Sequence, residues 1–142
     1  MDYLRLKPLL QQVLLAFFVA SASCAATEKA TPLLHCEVSY AGTTHVAQAR
    51  PVADPYSVPS VAIGGRFYFK AVMVGKPAHV DYIKLYAYLD TAQQPLLVQQ
   101  ATYLPPFPSG PEPRALTGEQ HVFAGPVERE LMYQCTLHGV RQ

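Results

Sequence analysis

Leu33–Tyr40 reads LLHCEVSY, and Glu130–His138 reads ELMYQCTLH. Each run holds a cysteine among apolar residues, with a histidine close by. In an extended strand, successive side chains point to opposite faces. Leu34, Cys36, Val38 and Tyr40 then share one face, and Leu33, His35, Glu37 and Ser39 share the other. In the later run Leu131, Tyr133, Cys135 and Leu137 share a face, with Met132, Gln134, Thr136 and His138 opposite. Both cysteines fall on apolar, inward faces, and both histidines point away from them. A Cys₂His₂ site needs all four side chains to converge. Regular strands forbid that unless a bulge intervenes. A Cys36–Cys135 disulfide needs only that the first and last strands meet. Closing a loop of roughly 100 residues contributes about 4–5 kcal/mol by chain entropy. Two buried free thiols and a metal site are the alternatives. No C-x-x-C pair is present, so redox catalysis is not indicated.

An oxidising compartment would favour the bond. The chain opens MDYLRLKPLLQQVLLAFFVASASCAATEKA. Arg5 and Lys7 give a positive start, Val13 to Ala20 is an uncharged apolar run, and Ser23 and Ala25 are small residues at cleavage-site spacing. This is the pattern of a secretory signal peptide, with cleavage expected after Ala25. The apolar run is short for a membrane span, which needs about 20 residues. Cys24 offers another route, a lipid anchor, although Ser21 stands where lipoprotein signals carry a large aliphatic residue. Removing residues 1–25 takes Cys24 away and leaves an even pair of cysteines.

The leader also carries Arg5, Lys7 and Asp2, so of 11 basic and 10 acidic residues equal numbers remain. A balanced chain gives no reason to expect nucleic acid or an anionic membrane as partner. No asparagine is present, hence no N-glycosylation acceptor, as befits a bacterial periplasm.

Residues 26–32 read as a flexible lead-in and 33–142 as a single domain. Alternation and short apolar runs dominate, and no helical period is sustained. Strands are expected near 33–41, 44–51, 65–74, 79–89, 95–104, 118–124 and 129–138. About seven strands in a chain of this length point to an all-β fold, a small antiparallel β-sandwich. It resembles immunoglobulin-like architecture in outline only. Residues 50–60 carry three prolines and read as a loop or irregular edge. The segment 103–117 carries five and is barred from a central strand, because proline lacks a donor.

Two surfaces stand out as partner sites. In DYIKLYAYLD, Ile83, Leu85, Ala87 and Leu89 form an apolar face, with Tyr82, Lys84, Tyr86 and Tyr88 opposite. In GRFYFKAVMV, Phe67, Phe69, Ala71 and Met73 oppose Arg66, Tyr68 and Lys70. If these strands pair, Tyr68, Tyr82, Tyr86 and Tyr88 make an aromatic patch edged by Arg66, Lys70 and Lys84. Tyrosine is enriched at interfaces, though cross-strand tyrosine pairs also stabilise sheets. The second surface is Pro105, Pro106 and Phe107 in the proline-rich loop.

Catalytic and metal chemistry find less support. No serine has a nucleophile-elbow setting, and IGGRF is a Gly-Gly turn before a strand rather than a phosphate loop. Glu119 and His121 share a strand face, which permits an acid–histidine contact. Glu128 and Glu130 are expected on one face of the last strand. His121, His138 and Met132 are the candidate copper ligands. The expected function is therefore an exported, non-catalytic binding module, periplasmic or secreted. It needs no cofactor and meets a protein partner in the cell envelope. A periplasmic copper carrier is the alternative.

Overall fold

The computed structural model describes residues 31–140. The leader, the cut after Ala25, Cys24 and most of the lead-in lie outside them. The described chain is all-β. Its strands are β1 (Leu33–Tyr40), β2 (Thr43–Ala49), β3 (Pro51–Val52), β4 (Val61–Ile63), β5 (Phe67–Lys76), β6 (His79–Leu89), β7 (Leu96–Tyr103), β8 (Arg114–Ala115), β9 (Gln120–Ala124) and β10 (Arg129–His138). A single 3₁₀ turn, Pro55–Ser57, is capped by Asp54, whose carboxylate accepts the Tyr56 amide at 2.9 Å.

The seven expected strands are present, and three short ones make ten. β3 and β8 lie inside the two proline-rich segments and β4 directly follows the first, and each holds only two or three residues. Pieces that short have no alternation to detect. Proline tolerates these positions because they lie along sheet edges, where its missing donor costs nothing.

The strands form two sheets. The first runs β2–β1–β10, with β9 and β8 sharing the far side of β10. β9 pairs with Arg129–Tyr133, and β8 with Thr136 and Leu137. The second runs β5–β6–β7, with β3 and β4 sharing the free side of β5. β3 is parallel to β5, so this sheet is mixed. Only Arg50 separates β2 from β3, so the chain passes from one sheet to the other at Arg50–Pro51.

Alternation decides what fills the space between the sheets. Leu34, Cys36 and Val38 of β1 and Leu131, Tyr133, Cys135 and Leu137 of β10 are buried. Phe67, Phe69, Ala71 and Met73 of β5 meet them with Ile83, Leu85, Ala87 and Leu89 of β6. Phe69 packs on Tyr133 with ring centroids 4.9 Å apart. Burying each large apolar side chain contributes about 1.5–3 kcal/mol.

Cys36 and Cys135 are register partners in the β1–β10 pair and are joined by a disulfide, with Cα atoms 4.1 Å apart. Side chains approach most closely at the antiparallel pairs that exchange no backbone hydrogen bonds. The partners of the Cys135 backbone show that this is such a pair. Its amide donates to Thr117 Oγ1 at 2.9 Å, and its carbonyl accepts from the amides of Leu116 and Thr117. Both groups therefore point away from β1. The bridge lies within one sheet, between neighbouring strands, whereas immunoglobulin domains carry theirs between sheets.

Phe107 is 6 % exposed and belongs to the core. The expectation that it offers a contact surface is thereby corrected. A lone aromatic in an otherwise polar, proline-rich loop is drawn inward by the area it buries. Pro105 and Pro106 remain exposed beside it. Glu128 also departs from expectation. It lies in the turn Gly125–Glu128 with φ +46°, outside β10, and so shares no strand face with Glu130.

Candidate binding face

The outer face of the second sheet is built by the register of β5 against β6. Tyr68 stands opposite Tyr88, Lys70 opposite Tyr86, Val72 opposite Lys84 and Val74 opposite Tyr82. The inward partners of these residues fix that arrangement, since Phe67, Phe69 and Ala71 must face the core. The four tyrosines read from the sequence therefore share one surface with Lys70 and Lys84. Arg66 is exposed in the turn that precedes β5.

The contacts within this face are aromatic and cationic. Tyr86 and Tyr88 stack with centroids 6.1 Å apart and an interplanar angle of 18°. The Lys84 ammonium lies 5.4 Å from the centre of the Tyr82 ring, within cation–π range. Burial, and then the neighbouring Tyr86, hold the Tyr88 phenol above its ordinary range. Val72 is 1 % exposed although it points to this outer side, and it anchors the middle of the face.

At one end the face deepens into a groove of about 290 Å³, lined by Val58, Ser60, Tyr68, Lys70, Tyr88 and Pro95. Three of these are sequence candidates. Val58 and Ser60 come from the loop that links β3 to β4, and Pro95 from the loop before β7. A loop side chain has no periodicity that announces its direction, so sequence reasoning missed all three. A recess with phenols, a hydroxyl and an ammonium can hold an extended segment by stacking, hydrogen bonding and charge.

Pro105 and Pro106 do not join the groove. They follow Tyr103, at the end of β7 opposite Pro95, and β7 is 8 residues long. At about 3.3 Å per residue, the two ends lie some 25 Å apart. Tyr82 belongs to the Pro105 end, because Ile83 pairs with Tyr103.

The metal candidates separate as well. His121 and Met132 are register partners across β9 and β10. His121 is occupied on both nitrogens, with Nδ1 2.5 Å from Glu130 Oε1 and Nε2 3.1 Å from Glu119 Oε1. Both partners are carboxylates, so the protonated ring can donate from both nitrogens at once. The hydrogen bond to Glu130, reinforced by Glu119, holds its pKa above the ordinary value. The Glu119 contact follows from strand parity. Glu130 joins only through the β9–β10 register, which no local pattern discloses.

His138 lies six residues beyond Met132 on the same strand, about 20 Å away, and meets His35 instead. Their rings are 6.3 Å apart, on the outer face of the first sheet. As parity required, both point away from the cysteines. Among the described residues, no group of three or more His, Cys, Asp or Glu side chains is arranged to hold a metal. No described helix is long and apolar enough to cross a membrane. Comparison with protein families, with curated proteins and with solved structures finds no match to this chain.

Proposed function

We propose that this chain is an exported, non-catalytic binding module of the cell envelope, periplasmic or secreted, which grips a protein partner through the tyrosine-bearing face. Its leader, residues 1–25, is removed on export, and its two sheets form a sandwich immunoglobulin-like in outline. The Cys36–Cys135 bond supports export, because such bonds persist in oxidising compartments.

One observation carries the binding role. Four tyrosines and two lysines share a sheet face that ends in a groove. Tyrosine supplies contact area at low entropic cost and a polar tip. The flanking cations favour a partner segment that carries carboxylates. Copper carriage through His121, His138 and Met132 has less support, since those side chains do not converge.

Photo-crosslinking in the native envelope tests the reading. A photoreactive residue at Tyr86 or Tyr88 is expected to trap one defined protein, and the same residue at Gln48, on the opposite outer face, is not. Tyr86→Ala with Tyr88→Ala should abolish co-purification of that protein and leave the melting curve in place. Equal trapping from both faces would sink the proposal.

A further inference from the structure

The two histidines that flank the cysteines in sequence come together on the far side of the sheet. Leu33 pairs with His138 and His35 with Thr136, so His138 sits diagonally across from His35. The sulfur bridge is one residue from His35 and three from His138, on the opposite face. It pins the β1–β10 register on which the histidine pair depends.

We infer that His35 and His138 form a two-imidazole chelate for Cu(II). The hydrogen bonds around them leave one nitrogen of each ring available. Thr136 Oγ1 lies 3.5 Å from the His35 carbonyl and 3.2 Å from His138 Nε2. When the hydroxyl donates to the carbonyl, its oxygen accepts His138 Nε2–H, and His138 Nδ1 keeps its lone pair. Gln48 holds His35 Nδ1 at 3.2 Å. Turned end for end, the same amide presents its oxygen to Nδ1–H and frees His35 Nε2. A metal-bound imidazole ordinarily has its other nitrogen donating to such a partner.

With metal–nitrogen bonds of about 2.0 Å, two rings on one ion have centroids roughly 4.5–6 Å apart. The observed 6.3 Å is closed by a small ring rotation. A recess of about 240 Å³, lined by His35, Glu37, Gln134 and Thr136, lies on the side of His35 away from His138. Glu37 is engaged there by Gln134 Nε2 at 3.0 Å, so the pair rather than a triad is the ligand set. Copper(II) stands highest in the divalent series for nitrogen donors and accepts tetragonal nitrogen–oxygen coordination. This site lies on the first sheet, so it stands or falls independently of the tyrosine face.

The untagged exported protein, titrated with Cu(II) by calorimetry, tests the site. Binding at one equivalent is expected, weakened at least about ten-fold by either His35→Gln or His138→Gln and less than about two-fold by His79→Gln. Paramagnetic resonance of the wild-type protein should show two equatorial imidazole nitrogens, a readout that needs no variant to fold. Absence of binding, a loss in only one of the two variants, or a spectrum with fewer than two imidazole nitrogens overturns the chelate.

Discussion

Thr117 Oγ1 accepts the backbone amide of Cys135 at 2.9 Å, in the gap between β8 and β9 where β10 has no strand partner on the side away from β1. Thr117 is 7 % exposed, and it is the buried polar residue among those described. Its hydroxyl completes the ladder of the strand that carries the sulfur bridge. Thr117→Val keeps the volume and leaves a buried amide without its acceptor. The expected loss is about 1–3 kcal/mol in urea unfolding, with Thr117→Ser close to wild type. Equal stability of the valine and serine variants would remove the hydroxyl from this role.

The Cys36–Cys135 bond spans a sequence separation of 99. Loop-closure entropy assigns about 4.7 kcal/mol to a loop of that size, a large share of the 5–15 kcal/mol typical of a domain. Cys36→Ala with Cys135→Ala is expected to lower the unfolding free energy by about 2–5 kcal/mol. Added reductant should move wild type toward the double variant and leave the variant where it is. A reductant-insensitive wild-type midpoint would show that the bridge contributes little.

His121 makes stability depend on pH in a definite direction. Hydrogen bonding to Glu130, then to Glu119, raises its pKa above the ordinary 6.5. The folded state therefore binds the proton more tightly than the unfolded chain. That stabilisation is fully present below the unfolded value and is lost as pH rises through the folded one. The melting temperature of wild type should exceed that of His121→Gln most at mildly acidic pH, and the gap should narrow into the alkaline range. The ring is solvent-facing, so salt should shrink the gap too. A gap that widens with pH would contradict the clamp.

Tyr133 behaves differently, because it is 2 % exposed and its pKa is pushed up to about 12 by burial, with Tyr103 adding to the shift. Between about 10 and 12 the unfolded chain loses this proton and the folded chain keeps it. Stability must therefore fall with pH across that window. Ultraviolet titration should show at least one phenolate fewer than the number of tyrosines until unfolding sets in. Tyr133→Phe should soften the alkaline loss. Ionisation of every tyrosine near pH 10 in the folded protein would contradict this burial.

What the sequence disclosed and what it hid divide along one physical line. β1, β5, β6 and β10 alternate over eight to eleven residues. A period of two over that length fixes which side chains face the core, and hence the sulfur pairing and the tyrosine face. Three features stayed hidden because they depend on which residue of one strand lies beside which residue of another. These are the Glu130–His121 bond, the His35–His138 pair and the seat of Thr117. The inward turn of Phe107 and the loop walls of the groove carry no period at all. Strand ends moved by up to two residues, as where the expected 65–74 became Phe67–Lys76, since the Gly64–Gly65 turn occupies the start.

The chain's first and last described strands lie side by side, with Leu33 next to His138. Tension applied through the two ends would peel β1 from β10 like a zipper, one rung at a time. It meets the covalent cross-tie at the fourth rung, Cys36 against Cys135. Everything enclosed between them is shielded from the load while that tie is closed. Such a molecule can serve as an inextensible link under tension, and it becomes a long elastic tether only after a thiol opens it.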